Sequence, residues 1–349
     1  MARASPYGLR WMRLLGGLAR SVVVFAVALI LFGLILVAAG KDPVRAILET
    51  LRSTLGTGYG LSEVLVKMTP LLLTAVAVAL PSRLGLINVG GEGQLYMGAC
   101  FGTWVALSFP PWPAGLLLPS MLAMGMLGGG LWALLPAWLR ARGLVNETIT
   151  TLLMNYVAPS IATFLIYGPW RSPFNSMYPQ TVDFVEAARL PTLFDTRVHV
   201  GLIAALALVA LYGFVMRATR WGVEIRAIGG NPQAARRCGI PVPSYIVAAL
   251  CLGGAAAGLA GIVEVAGLHG RLRPGFSPGF GYMGFLISWL SFGNPIGMVV
   301  MSFVAAVISL GGDVLQIKQG LPYAVVNILL ALTLYVVLAR PSLPRRRGA

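Results

Sequence analysis

Apolar runs broken by short polar stretches repeat along the whole chain. Runs near the ~20 residues that a helix needs to cross a hydrocarbon layer centre in 21–39, 61–80, 86–108, 114–139, 146–168, 198–216, 244–266, 294–312 and 322–338, with a shorter one at 280–291. The pattern predicts an all-α polytopic membrane protein of about ten transmembrane helices, with no separate soluble domain within residues 1–349. The first run is too long for a signal-peptide core and no small-residue cleavage pattern follows it, so 21–39 is expected to be a retained first helix. Two runs are interrupted by glycines, 85–102 and 275–293. Each falls third in a set of five spans, and an odd number per set makes the two halves inverted. Matched interruptions of this kind mark a translocation path.

Composition agrees with this pattern. Of 349 residues, 57% are hydrophobic and 11% charged, against roughly 25% charged in soluble domains, and mean hydropathy is +0.81. The net charge of +15 reads as orientation. Arg83, Arg140, Arg142, Arg217, Arg220, Arg226, Arg236, Arg237 and the arginines of both chain ends fall on one side of the predicted spans, which places both termini in the cytoplasm. A nucleic-acid face would need basic and aromatic residues on a soluble surface, and no such surface is present. Cys100, Cys238 and Cys251 lack the spacing of a disulfide framework or a zinc site. There is no GxxxxGK[ST] loop for ATP, no HExxH and no GxSxG, so neither an enzyme nor a metal site is indicated.

The first interruption reads "GLINVGGEGQLYMG". A carboxylate at membrane depth costs about 2.5–3.5 kcal/mol on insertion scales, so Glu92 must face the bundle interior, water or a partner. Asn88 and Glu92 share a face if the helix is continuous, or the glycines break the helix and expose backbone to a cavity. Asn88, Glu92, Gln94, Asn155, Trp289 and Asn294 are the candidates for a solute pathway. Each has a bland alternative: the polar groups can satisfy one another, and Trp289 can be an interfacial anchor. Asn146 reads as an N-cap, with Glu147 at the positive end of its helix. The long loop 169–198, with Pro-Trp-Arg-Ser-Pro and Tyr-Pro-Gln, suits a structured cap.

The loop 217–243 carries a second signal. Gly229-Gly230-Asn231-Pro232 reads as a turn into a short helix capped by Asn231, with Pro232 at its first position and Gly239 as its stop. Ala234 and Ala235 would let a partner approach closely, and Arg236 and Arg237 could pair with acidic groups on it.

The run "TRWGVEIRAIGGNPQAARRCGI" resembles the coupling segment of ABC-type permeases. "GLINVGGEGQLYMGA", "VNETITTLLMNY" and "FGNPIG" are similar, in the same order, to bacterial permeases for nucleosides and simple sugars, within the wider family of ribose and branched-chain amino-acid permeases. The resemblance covers roughly residues 60–340. "GFLISWLSFGNP" departs from it, with Ser288-Trp289 and Ser291-Phe292 where smaller aliphatics and a Leu-Gly pair are expected. The resemblance implies an importer subunit in a bacterial inner membrane that binds no cofactor itself. Its expected partners are an ATPase subunit that supplies ATP hydrolysis, a second permease subunit, identical or homologous, and an extracytoplasmic solute-binding protein or lipoprotein. It places ATPase coupling on Gly222, Glu224, Arg226, Gly229, Asn231, Pro232, Ala234, Ala235, Arg236 and Gly239. A proton-coupled secondary transporter, with Glu92 or Glu264 carrying the proton, is the alternative.

Overall fold

A computed structural model describes residues 40–173, 178–193 and 195–320, with a few isolated positions outside them. Eleven α-helices make up nearly all of it: α1 Pro43–Leu55, α2 Gly58–Ser82, α3 Gly91–Ser108, α4 Ala114–Ala141, α5 Glu147–Tyr167, α6 Gly201–Ala218, α7 Arg220–Gly230, α8 Pro232–Arg237, α9 Val242–Glu264, α10 Phe280–Leu290 and α11 Pro295–Gln319. A π turn, Val265–His269, extends α9, and the described residues contain no strand beyond one isolated bridge between Thr192 and His199. Among the described residues six helices, α2, α4, α5, α6, α9 with its π turn and α11, are long and apolar enough to cross a membrane. The predicted spans 86–108 and 280–291 are the exceptions. Glu92 and Gln94 lower the hydropathy of α3, and α10 has only 11 residues. The spans expected at 21–39 and 322–338 lie outside the described residues.

The chain divides into two units, one of residues 58–307 and one of residues 1–57 with 308–349. In the smaller unit, α1 is a helix that the apolar pattern did not predict. It is amphipathic, and Asp42 caps it by accepting from the Val44 and Arg45 amides at 2.9 and 3.1 Å, with Pro43 at the first position. Its Ser53 hydroxyl accepts from Lys318 Nζ at 2.9 Å.

In the larger unit, α2 and α9 are buried around most of their circumference, whereas α4, α5 and α6 are buried along one side. The densest packing joins α3, α4 and α9 through glycine. A Cβ on Gly258 would lie 2.2 Å from the Gly125 carbonyl oxygen, one on Gly98 would lie 2.2 Å from Gly258 Cα, and one on Gly261 would lie 2.0 Å from the Leu95 carbonyl oxygen. The three backbones touch with no side chain between them. Among apolar helices in lipid, where transfer from water gives no drive, such van der Waals contact is the main cohesive force.

Gly258→Val should therefore abolish the folded protein or lower its thermal midpoint by far more than Gly115→Ala, where an added Cβ meets nothing within 4 Å. Overpacking costs ~1–3 kcal/mol or more. Thermal unfolding of both variants in detergent, followed by size-exclusion chromatography, checks the contrast.

Candidate functional site

The site forms where two helices begin inside the bundle. After α2 the chain turns at Arg83 and Gly85, the latter at φ +79°, and residues 86–89 are neither helix nor strand before α3 starts at Gly91. Asn88 therefore precedes the helix, and it does not share a helix face with Glu92. Non-helical backbone among apolar helices has no water to bond, so its amides and carbonyls need partners from the protein.

Helix α5 supplies them. Glu147, Thr151 and Asn155, four residues apart, stand on one face. Glu147 Oε1 accepts from the Ile87 amide at 3.1 Å, Thr151 Oγ1 accepts from the Val89 amide at 3.3 Å, and Asn155 donates to the Val89 carbonyl and accepts from the Gly93 amide, both at 2.8 Å. Glu147 Oε2 also pairs with Arg140 at 2.9 Å. Asn146 caps α5, as its position implies, by accepting from the Thr148 amide at 2.8 Å. Asn88 is fully buried. It bonds the Gln94 amide reciprocally, at 3.1 Å each way, accepts from the Gly90 amide and donates to the Ala77 carbonyl.

A second break mirrors the first. The chain leaves α9 at Gly270 and reaches α10 through a segment with glycines at φ +63°, +66° and +97°, at positions 270, 275 and 279. Part of the loop predicted as a structured cap holds it. The Thr181 and Leu272 backbones bond each other's residues at 3.1 and 3.0 Å, and the Phe184 amide donates to the Gly270 carbonyl at 2.7 Å. Farther along, Phe276 packs on Tyr96 of α3, with ring centroids 4.7 Å apart.

The two helix starts meet at Glu92. Its Oε2 accepts from the Gly281 amide in the first turn of α10 at 2.7 Å, and the Ser277 hydroxyl bonds the same carboxylate. Backbone approach is so close that a Cβ on Gly281 would lie 2.1 Å from the Glu92 nitrogen. Glu92 sits in the first turn of α3 and on the first turn of α10, so one carboxylate lies at the positive ends of two helix dipoles. Thr74 Oγ1 of α2 is 3.1 Å from the Phe280 carbonyl oxygen, which fixes the same junction from the side. Sequence reasoning singled out Glu92 but could not see Gly281, 189 residues away.

The far end of α10 is pinned by Arg83. Its guanidinium bonds the Gly293 carbonyl and the Tyr212 hydroxyl, the latter at 2.9 Å, and Tyr212 also donates to the Gly293 carbonyl at 3.0 Å. Asn294 is exposed and caps α11 by accepting from the Ile296 amide at 3.1 Å. Trp289 is 44% exposed on α10, beside Phe285 at 5.6 Å, and Tyr282 is exposed on the same helix. Of the six predicted pathway residues, Asn88, Glu92, Gln94 and Asn155 thus converge on the helix starts with their polar atoms committed to protein partners. Trp289 and Asn294 lie apart from them.

The predicted coupling residues form two helices joined at one residue. Gly229 and Gly230 close α7 and do not form a turn. Gly229 is needed for contact, because a Cβ there would lie 2.1 Å from the Arg83 carbonyl oxygen. Gly222 packs the same way, 2.4 Å from the Val215 carbonyl oxygen, and Ile225 and Ile228 are buried between them. Glu224 pairs with Arg220 at 2.7 Å and accepts from Tyr245, while Arg226 donates to the Met216 carbonyl. Asn231 caps α8, accepting from the Gln233 and Ala234 amides at 3.0 Å, with Pro232 first in the helix. Gly239, at φ +81°, ends it: its amide bonds the Arg236 carbonyl at 3.0 Å and the Ile240 amide bonds the Ala235 carbonyl at 3.1 Å. Ala234 and Arg236 face out. Ala235 is buried.

Residues 60–338 match the family described as branched-chain amino acid transport system / permease component. The chain is 38% identical over 337 residues to the glucose ABC transporter permease protein TsgB13 of Haloferax volcanii, covering 93% of this chain and 88% of that one. It is 28% identical to the nucleoside ABC transporter permease protein NupB of Lactococcus lactis, covering 91% of each. It is 31% identical to the guanosine ABC transporter permease protein NupP of Bacillus subtilis, covering 81% of this chain and 82% of that one. No solved structure matches it. With four-fifths of its length matched and its helices suited to repeated membrane crossing, the chain belongs to the permease-component family of branched-chain amino acid transport systems.

Proposed function

We propose that this chain is the membrane-spanning subunit of an ATP-driven importer of nucleosides or simple sugars in a bacterial inner membrane. Relatives named for glucose, nucleosides and guanosine support that cargo class. The arginine-rich end and both termini face the cytoplasm, and the spans form two inverted five-helix sets. A separate ATPase drives the cycle, a second permease subunit completes the path, and a solute-binding protein delivers cargo at the opposite face.

The observation that carries this reading is the rigid route from α8 to the broken helices. A push on α8 passes through Asn231 into α7, which is seated backbone against backbone on Arg83 at Gly229. Arg83 grips the Gly293 carbonyl at the end of α10, and Glu92 ties the start of α10 to the start of α3. Motion of α8 thereby displaces both interrupted helices together. A proton-coupled carrier has no use for a lever on this surface.

In this scheme Asn88, Glu92, Gln94 and Asn155 position the helix starts that flank the path. Trp289 and Tyr282 present aromatic surface to the solute, where a base or the C–H face of a sugar can stack. The ATPase meets Ala234, Arg236 and the adjoining face of α8.

Reconstitution with the ATPase and binding protein tests the energy source. Uptake should require ATP and survive collapse of the proton gradient; uptake driven by an imposed pH step without ATP would refute the reading. Glu92→Gln should cut uptake by an order of magnitude or more while the complex still assembles, because a hydrogen bond to a charged group contributes ~1.5–3 kcal/mol. Wild-type uptake at equal membrane abundance would remove Glu92 from the mechanism. The two alanines of α8 should separate: Ala234→Trp should leave the subunit folded but weaken ATPase binding or uncouple hydrolysis from uptake, whereas Ala235→Trp, at a buried position, should lower its thermal midpoint. Pull-down of the ATPase with each variant distinguishes the two effects.

A further inference from the structure

Three arginines from separate segments, Arg83 after α2, Arg217 in the last turn of α6 and Arg226 in α7, line one cavity of about 360 Å³. Tyr212 and Asn294 add polar groups to its wall, and among the described residues no carboxylate does. Two other arginines at this end of the bundle do have carboxylate partners, Arg140 with Glu147 and Arg220 with Glu224. Among the described residues, Arg83 and Arg226 bond a hydroxyl and carbonyls and no carboxylate, and Arg217 is exposed. Each guanidinium has five N–H donors, so several stay available on all three. Like charges gathered in one cavity repel, and an anion that accepts from them reverses the sign of that interaction.

We infer that this cavity is a binding site for a phosphate-bearing anion. Planar guanidinium forks match the oxygen geometry of phosphate, and three converging on one space favour it over a carboxylate. Phe292 stands at the wall, 70% exposed and held at φ +52°, and Leu211 and Phe214 leave apolar surface exposed on α6. Charged donors beside exposed apolar surface at the ends of membrane-crossing helices suit the phosphate of an anionic lipid headgroup. Free phosphate offers the same chemistry without the chains.

Native mass spectrometry of the full-length chain, purified with its partner subunits in neutral detergent, distinguishes these sources. Phosphatidylglycerol should be retained, diacylglycerol lacking the phosphate should not, and Arg217→Glu should reduce retention roughly tenfold or more. Arg217 makes no bond that holds the fold in the described residues, and Arg217→Lys, which keeps the charge but loses the fork, should fall between. If the source is free phosphate, millimolar inorganic phosphate should instead raise the thermal midpoint of the wild type but not of Arg217→Glu, with no lipid retained. Equal lipid retention by wild type and Arg217→Glu, together with no effect of phosphate, overturns the proposal. These readouts are independent of uptake, so they stand or fall apart from the transport function.

Discussion

A helix that stops inside an apolar bundle leaves amides and carbonyls that neither water nor lipid can satisfy. That constraint organises the larger unit. Two of its non-helical segments, 83–90 and 270–279, lead into helices that start against each other, and each carries its own set of partners. At the first, one face of α5 presents Glu147, Thr151 and Asn155 to a stretch of non-helical backbone. At the second, Thr181 and Phe184 of the loop before α6 pair with Leu272 and Gly270, and Ser277 accepts from the Gly279 and Phe280 amides at 3.3 and 3.2 Å.

The breaks in turn depend on the glycine contacts. Gly281 brings α10 against Glu92 closely enough for a 2.7 Å bond, and Gly98, Gly125, Gly258 and Gly261 keep α3, α4 and α9 in backbone contact. A carboxylate can therefore sit in the bundle without a basic partner. Two helix N-termini and a serine hydroxyl surround it, each in place before any solute arrives. Because one of these partners is the Gly281 amide, Glu92 ties the start of α3 to the backbone of α10.

Much of this was legible in the sequence. Apolar length alone located every described span, and glycine with isolated polar residues marked both breaks. The spacing of Glu147, Thr151 and Asn155 was a readable signal, since three polar residues on one face of an apolar helix need partners, but what they bond is set by a loop some sixty residues away. Helices α1 and α7 were missed because hydropathy is blind to short amphipathic helices, although Asp42-Pro43 and Thr219 were available as caps. Gly229-Gly230 misled in the opposite direction: a pair that usually marks a turn here ends a helix, and Gly229 alone serves close packing. Which of Ala234 and Ala235 faces outward could not be read at all, because a helix of six residues has no periodicity long enough to show its buried side.

Arg83 links the two ends of the proposed coupling. Its backbone carbonyl is the surface on which Gly229 of α7 rests, and its guanidinium holds the carbonyl of Gly293, where a Cβ would lie 3.0 Å from it. One residue thus joins the lever to the end of α10 by its main chain on one side and its side chain on the other. Both contacts are made at glycine, so no flexible side chain on the opposing surface can absorb a displacement. Tyr212 bonds both the guanidinium and the Gly293 carbonyl, which restrains the one flexible part of the linkage. A lysine at this position would keep the charge but could not hold the tyrosine hydroxyl and the carbonyl together in one plane, and for that reason the geometry requires arginine.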